Sequence, residues 1–288
     1  MRTLRASATL ALALVLGACA SGPTGAAPST PAATPGVTAP PTTGPTPSAK
    51  PDLLVVAVGD SIPFNSPEDC PGCAGFVDRY ATALAQATGK TVGVRNLSEH
   101  NNNTVQRLVG ELDNDHTRID ALAAADAIIV GIAHNDAPMN RDDDSCDGPF
   151  SESPDWSKYT DTCIATELAR FGPVYAAAYA KVAALRAGKP TILRTINRYN
   201  DWNGWPGHDL STAGLKVTVK VIAAWNAMIC KAAEASGFLC ADISTAFNGA
   251  DGKTPSDGLL AGDYTHPSEH GNALIAETLV QLGFAPLQ

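Results

Sequence analysis

Apolar and polar positions follow two distinct patterns along the chain beyond the first fifty or so residues. Unbroken apolar runs such as Leu53 to Val58 are typical of strands that are buried on both faces of a sheet. Elsewhere, apolar residues recur every three or four positions, and the stripe from Phe76 to Ala87 predicts a helix that stops at Gly89. The predicted strands are 53–58, 91–94, 127–132, 191–195 and 238–243, and the predicted helices are 76–89, 105–112, 164–187, 211–235 and 268–282.

This alternation of strands and helices predicts the fold class. Strands separated by helices of ten or so residues pair in parallel, with the helices covering both faces of the sheet. We therefore expect an α/β protein, a three-layer α/β/α sandwich around a five-stranded parallel sheet. Reactive groups in such sheets gather beyond the carboxyl ends of the strands.

The N-terminal fifty residues predict a leader and a spacer. Arg2 and Arg5 precede an apolar run that is too short to span a bilayer, which indicates a signal peptide over residues 1–19. The run closes on Leu16-Gly17-Ala18-Cys19, which resembles the lipobox of bacterial lipoproteins and implies lipidation of Cys19, although an ordinary cleavage site is the alternative. Residues 21–50 contain eight prolines and seven threonines, which predicts a disordered linker over 20–50 before a folded domain over 51–288.

Charge and leader together predict location and partners. The formal net charge of -9 argues against nucleic acid as a partner, because phosphate binding needs concentrated lysine and arginine. We expect an exported protein, either an envelope lipoprotein or a secreted one, that contacts the membrane only through its N-terminal lipid. We also expect a monomer.

Six cysteines remain once Cys19 is set aside. In an exported chain an even number indicates disulfides, and six cysteines allow fifteen pairings. Pairing between neighbours in sequence is our expectation, because each bond closes a short loop. The candidates are Cys70 with Cys73, Cys146 with Cys163, and Cys230 with Cys240. The first pair also matches the CxxC of thiol oxidoreductases, but it lies in a loop well past the strand end, which favours a structural role.

Three polar clusters follow predicted strands or precede the last helix. They are Gly59-Asp60-Ser61, Ala133-His134-Asn135-Asp136 and Asp263-Tyr264-Thr265-His266. Each is weak evidence alone, because such residues are also common in turns and helix caps. A serine nucleophile needs a histidine base, and the histidine needs an acceptor on its other nitrogen, so the three clusters together predict a Ser-His-Asp site.

These clusters, in this order, resemble the first, third and fifth sequence blocks of the SGNH hydrolases, or GDSL esterases and lipases. The resemblance covers 53–282 and implies a flavodoxin-like sheet, with Ser61 as nucleophile, His266 as base and Asp263 as its orienting partner. It further implies an oxyanion hole made by the amide of Ser61, the side chain of Asn135 and a backbone amide of the second block. That block usually carries a glycine there, and this chain has Asn102.

The function expected from these residues is hydrolysis of carboxylic esters through an acyl-enzyme, with no cofactor. Beside His266 and His270 no third ligand of the right kind is evident, so no metal site is expected. An acyltransferase with the same triad and a non-catalytic envelope-binding lipoprotein are the alternatives. The acidic segment 139–163, bounded by cysteines, follows the asparagine block and is expected to overhang the site. Trp202 and Trp205 either form a binding platform or pack a loop.

Overall fold

Buried apolar segments form a parallel sheet at the centre of the protein. The computed structural model describes residues 50–204 and 210–288, and these form five strands: β1 Leu53–Gly59, β2 Val92–Asn96, β3 Ala127–Gly131, β4 Ile192–Ile196 and β5 Leu239–Ala241. The strand order is β2-β1-β3-β4-β5, and every neighbouring pair is parallel. The predicted signal segment 1–19, the lipidation site Cys19 and all but the last residue of the predicted linker lie outside the described residues.

Eight α-helices of the described residues complete the sandwich. They are α1 Ser61–Phe64, α2 Phe76–Thr88, α3 Val105–Asn114, α4 His116–Ala124, α5 Asp161–Ala184, α6 Thr212–Glu234, α7 Ile243–Asn248 and α8 Glu269–Gln281. One apolar core lies between the sheet and α3 to α6, and a second lies between the other face and α2, α7 and α8. The three-layer α/β/α arrangement predicted from the sequence is therefore confirmed.

Three short helices depart from the sequence prediction. Helix α1 begins at Ser61 itself, and α4 follows α3 after a single residue, Asp115, whose side chain accepts from the amide of Arg118. Helix α7 replaces the end of the predicted fifth strand, because the side chain of Asp242 accepts from the amide of Thr245 and starts a helix at Ile243. Apolar residues in short buried helices look like strand residues when periodicity alone is read.

The topology places a crevice next to β1. Strand β1 pairs with β2 on one side and with β3 on the other, so the chain changes direction across the sheet at this point. In open parallel sheets, ligands bind at such a switch point beyond the carboxyl ends of the strands. The segments that follow β1, β2 and β3 carry Ser61, Asn102 and Asn135, respectively.

Helix α6 is the one helix among residues 50–204 and 210–288 that is long and apolar enough to cross a membrane by length and composition. Its side chains Val221, Trp225 and Ile229 are buried. Trp225 and Ile229 belong to the apolar core that also contains residues of α5. Burial of this kind is what a core helix of a folded domain shows.

Each cysteine pair proposed from the sequence is bonded. The structure has disulfides between Cys70 and Cys73, Cys146 and Cys163, and Cys230 and Cys240, each with Cα atoms about 5.5 Å apart. The first closes a turn between α1 and α2, the second pins the acidic segment to the start of α5, and the third ties α6 to β5. Each bond therefore restrains a segment near a strand end or a helix start.

Close approach of β1 and β3 requires a glycine at the end of β1. A Cβ atom on Gly59 would lie 1.8 Å from the carbonyl oxygen of Gly131, and the φ of Gly59 is +156°. The amide of the next residue, Asp60, donates to that same carbonyl at 2.9 Å. The backbone at this point has no room for a side chain.

Replacing Gly59 with alanine should therefore destabilise the fold strongly. We expect a loss of at least about 3 kcal/mol in the free energy of unfolding, which is roughly 6 to 12 °C in Tm for a domain of this size. Gly110, in the middle of α3 with open space around it, is the control, and Gly110→Ala should stabilise by about 0.5–1 kcal/mol. Thermal and urea unfolding measure both, and a Gly59→Ala protein as stable as wild type would contradict the steric argument.

Candidate active site

Asp60 joins the ends of β1 and β3 and orients Ser61. Its carboxylate accepts from the amide of Ile62 at 3.0 Å, which caps α1, and from the amides of Ala133 and His134 at 2.9 and 3.1 Å. Burial raises the pKa of Asp60, and these amide hydrogen bonds oppose that rise. The carboxylate thus fixes the position of the first block relative to the third.

Ser61 is the first residue of α1 and is 8% exposed. Its hydroxyl forms no hydrogen bond with any residue of the described ranges, so it is free to contact a substrate or a base. Its amide lies in the first turn of α1, where amides have no acceptor within the helix. Within the described part of the chain, the local fold therefore leaves a hydroxyl and an amide of one residue without a partner at the carboxyl end of β1.

Asp263 and His266 form a bonded pair on a turn before α8. Nδ1 of His266 donates to Oδ2 of Asp263, and Oδ1 of Asp263 accepts from the amides of Thr265 and His266 at 3.1 Å each. The hydroxyl of Tyr199 donates to the carbonyl of Thr265 at 2.5 Å and holds the turn from the side of β4. Because Nδ1 carries the proton, the lone pair of the ring is on Nε2.

Nε2 of His266 is buried and has no hydrogen-bond partner among the described residues. A buried polar atom without a partner is rare in folded proteins and is common at sites that await a ligand. The structure contains no hydrogen bond between this atom and the hydroxyl of Ser61. Such bonds are often long in enzymes without substrate and tighten when substrate is present.

Opposing effects set the pKa values of the pair. Burial alone would lower the pKa of His266, but the hydrogen bond and charge of Asp263 and the charges of Asp69 and Asp60 outweigh it and raise the pKa above 6.5. Burial would raise the pKa of Asp263, but the hydrogen bonds from the ring and from two amides hold it below its ordinary value. The carboxylate therefore stays ionised at neutral pH and stabilises a proton on the ring.

The side-chain amide of Asn135 uses one of its two N–H groups within the protein. Its Nδ2 donates to the carbonyl of Asn103 at 2.9 Å, and the side chain of Asn103 in turn donates to the carbonyl of Gly59 at 3.1 Å. This chain of bonds links β1, the loop after β2 and the loop after β3. The second hydrogen of the Asn135 amide is left for a ligand.

Asn102 adopts the left-handed conformation expected where the family usually has glycine. Its φ is +46°, which asparagine tolerates better than most residues. Its amide donates to the carbonyl of His100 at 3.2 Å, so that N–H is engaged within its own loop. A contribution of the Asn102 amide to an oxyanion hole stays a prediction, and it requires that this weak contact be exchanged for one to substrate.

Asn103 and Asp136 are structural members of the site to which the sequence pattern assigns no role. Asp136 is buried, caps α3 by accepting from the amide of Val105 at 3.0 Å, and accepts from the hydroxyl of Tyr175 at 2.9 Å. Burial raises its pKa to about 7, against the hydrogen bonds that oppose the rise. In the sequence, only their positions point to a role at the site: Asn103 directly follows Asn102, and Asp136 directly follows Asn135.

A polar cleft of about 470 Å³ begins at Asn102 and Asn135. Its other lining residues are Thr104, Asn140, Arg141, Asp142, Asp143 and Phe150, most of them in the predicted overhanging segment 139–163. Buried Arg141 supports this wall by donating to Glu167 at 2.8 Å and to the carbonyl of Asp136 at 2.8 Å. The segment therefore forms one side of a cleft that opens onto the candidate oxyanion donors.

Trp202 is buried and packs against the ring of Trp156 at 5.5 Å between centroids. It therefore packs the loop after β4 instead of forming an exposed platform. Trp205 lies outside the described residues.

The ionisation of His266 provides a test of this geometry that does not depend on activity. In an NMR titration of the histidine ring, the pKa of His266 should lie above 6.5, and it should fall in Asp263→Asn because the acceptor loses its charge. Asp251→Asn removes a charge that is paired with Lys253 on the surface and should leave the pKa of His266 unchanged. Equal pKa values for His266 in wild type and Asp263→Asn would contradict the described pair.

Comparison with known proteins agrees with the fold described above. The model of the GDSL-like lipase/acylhydrolase family matches residues 57–274. The fold is similar to that of the lipase Lip_vut3 from a goat rumen metagenome, with a TM-score of 0.63 and 18% identity over 82% of this chain and 100% of that one. It is also similar to a phospholipase A1 from Streptomyces albidoflavus NA297, with a TM-score of 0.53 and 17% identity over 80% and 98% of the two chains.

None of the curated protein sequences matches this chain. The family match covers more than half of the chain and contains β2 to β5, the end of β1, the serine block and the aspartate–histidine turn. The chain therefore belongs to the GDSL-like lipase/acylhydrolase family of ester hydrolases.

Proposed function

We propose that this protein hydrolyses carboxylic esters through an acyl-enzyme formed on Ser61. The observation that carries the proposal is the aspartate-bound imidazole of His266, whose Nε2 is buried and unpartnered. Asp60, next to Ser61 in sequence, is close enough to His266 for its charge to raise the pKa of that ring. The charge of the residue that precedes the nucleophile therefore acts on the base.

The proposed reaction has two steps. In the first, Oγ of Ser61 attacks the ester carbonyl carbon while Nε2 of His266 takes its proton; the proton then passes to the leaving alcohol as the ester C–O bond breaks. In the second, His266 takes a proton from water, the hydroxide attacks the acyl-enzyme, and the acid leaves as the proton returns to Ser61. Asp263 holds Nδ1 and stabilises the imidazolium in both steps.

The negative charge that forms on the carbonyl oxygen needs donors already in place. The amide of Ser61 and the free N–H of the Asn135 side chain supply two in this proposal, and the amide of Asn102 would supply a third. The links from Asn135 through Asn103 to Gly59 keep the two donors at a fixed separation. Such preorganisation is what makes a donor effective in the transition state.

The cleft beside these donors favours a polar ester with a short acyl group. Seven of its eight lining residues are polar or charged, and hydrogen bonds and ion pairs with Arg170 and Arg141 lower the pKa of Asp143 to about 2. A hydrocarbon chain laid here would strip water from these groups without replacing their hydrogen bonds. An acylated alcohol rich in hydroxyl groups can replace those bonds.

The leader residues support a location outside the cytoplasm. We propose that the enzyme is exported and held at the cell envelope through Cys19 and the linker 20–50, where three disulfides are stable. Its substrates would then be esters of the envelope or of the surroundings.

Replacing Ser61 with alanine should abolish hydrolysis of p-nitrophenyl acetate, lowering kcat by at least about 10³-fold, and should prevent covalent labelling by a fluorophosphonate. Asn135→Ala should lower kcat by about 10²- to 10³-fold with a smaller change in KM. Ser153→Ala and Asn101→Ala alter exposed side chains and should retain wild-type kinetics. Thermal unfolding separates loss of chemistry from loss of fold, and a Ser61→Ala protein with wild-type turnover would overturn the proposal.

Activity should also depend on the charge of His266. The protonated ring cannot accept a proton, so kcat/KM should fall as pH drops through the pKa of His266, which lies above 6.5. The same pKa obtained from the NMR titration should appear in the pH profile, and a profile that stays flat well below pH 6 would exclude His266 as the base.

A series of p-nitrophenyl esters from acetyl to octanoyl tests the polar cleft. An apolar acyl site would raise kcat/KM by about fourfold for each methylene that it buries. We expect no such rise, and instead a constant or falling kcat/KM with chain length, measured below the micelle concentration of each ester. A steep rise would show an apolar acyl site elsewhere.

A further inference from the structure

Three metal-ligating side chains from separate parts of the chain meet on the Nδ1 side of His266. They are Asp69, in the turn before the Cys70–Cys73 disulfide, His100, in the loop after β2, and His266 itself. One ligand atom from each lies within 4.8 Å of the others. Neither Asp69 nor His100 donates or accepts a proton in the steps proposed for ester hydrolysis, although the charge of Asp69 raises the pKa of His266.

The separations within this cluster suit a tetrahedral metal ion. Oδ2 of Asp69 is 3.0 Å from Nε2 of His100 and 3.5 Å from Nδ1 of His266. Bonds of about 2.1 Å in a tetrahedral zinc site place neighbouring ligand atoms about 3.4 Å apart. Small shifts of the three side chains would therefore suffice to admit the ion between them.

The cluster is shielded yet reachable. The side chains of Asp69 and His266 are 14% and 15% exposed, and that of His100 is 33% exposed, which leaves a path for an ion from solvent. The ring of His100 stacks on Phe64 with centroids 5.6 Å apart, which fixes its orientation toward Asp69. Asp263, already bonded to Nδ1 of His266, supplies a further carboxylate at the same place.

We propose that Asp69, His100 and His266 form an inhibitory binding site for Zn²⁺ or a similar divalent transition-metal ion. A neutral imidazole has one proton and one lone pair. When the ion takes the lone pair of Nδ1, the single proton must move to Nε2, and the bond from Nδ1 to Asp263 is lost. Nε2 then carries a hydrogen and cannot accept the proton of Ser61.

Binding of the ion thus converts the base into a group that cannot act as one, without touching Ser61. No proton is gained or lost overall, because His266 exchanges one tautomer for the other. His100, whose Nε2 now donates to Asp69, likewise moves its proton to Nδ1 when Nε2 binds the ion. Removal of the ion by a chelator restores the original tautomer and the bond to Asp263. The inhibition, although not the binding, rests on the function proposed above.

The binding test uses the purified protein, Zn²⁺ as its sulfate and a chromophoric zinc indicator in competition. We expect one site per chain, weakened at least tenfold by His100→Ala or Asp69→Asn. His270→Ala, which removes a surface histidine on α8, should bind zinc as wild type does. Binding that is unchanged in both His100→Ala and Asp69→Asn, or that is lost equally in His270→Ala, would overturn the proposal.

The tautomer is the second readout. In long-range ¹H–¹⁵N NMR spectra of the ring, zinc should move the hydrogen of His266 from Nδ1 to Nε2, and EDTA should reverse the change. Zinc bound on Nε2, with Nδ1 still protonated, would contradict the geometry. Neither NMR nor indicator binding requires ester hydrolysis, so both decide on the site even if the proposed activity is absent.

Inhibition of p-nitrophenyl acetate hydrolysis is the third readout. Zinc should inhibit wild type and His270→Ala at the same concentration, and at least tenfold more zinc should be needed for His100→Ala. Inhibition is expressed relative to the activity of each variant without zinc. Activity of wild type at saturating zinc, as determined with the indicator, would show that the bound ion does not block the base and would overturn the inhibitory role.

Discussion

One buried carboxylate determines the relative position of the groups that surround Ser61. Asp60 caps α1 by accepting from the amide of Ile62 and also accepts from two amides after β3, so the ends of two neighbouring strands are joined by a single side chain. Burying a carboxylate is costly unless its oxygens are hydrogen-bonded, and three amides meet that cost here. The tripeptide Gly59-Asp60-Ser61 follows from this contact: glycine because no Cβ fits, aspartate because it bridges, and serine because its hydroxyl stays unbonded.

The base comes from a different part of the fold. Asp263 and His266 form their bond within a local turn, so their mutual geometry depends little on the rest of the molecule. Their position relative to Ser61 depends on a few side-chain contacts. Tyr199 holds the carbonyl of Thr265, and Asn272 donates to Asn65 at 3.0 Å while accepting from the amide of Phe76 at 3.0 Å. These contacts tie the turn to the loop after β4 and to the start of α2.

The sequence predicted the layers and strands well, because buried parallel strands are unbroken apolar runs and the covering helices have clear stripes. It failed at α1, α4 and α7, which are short and whose starts are set by side-chain caps such as Asp242. Ser61 and Asn135 follow strand ends and the Asp263–His266 turn precedes the last helix, so the sheet topology was enough to predict that they group together. The roles of Asp60, Asn103 and Asp136 did not, because a hydrogen bond to a distant amide leaves no periodic pattern. Asp69 and His100 were missed for the same reason: they meet only after the loops around β2 and α1 have folded.

The order of the site residues along the chain has a consequence for biosynthesis. Asp60 and Ser61 leave the ribosome early, whereas the turn with Asp263 and His266 emerges near the end. Helix α8, which follows that turn, packs against α2 and is needed to seat it. In the proposed enzyme the nucleophile would therefore have no base until almost the whole chain had been synthesised and translocated. In such an enzyme, the serine would become reactive only after the C-terminal turn had been made and seated.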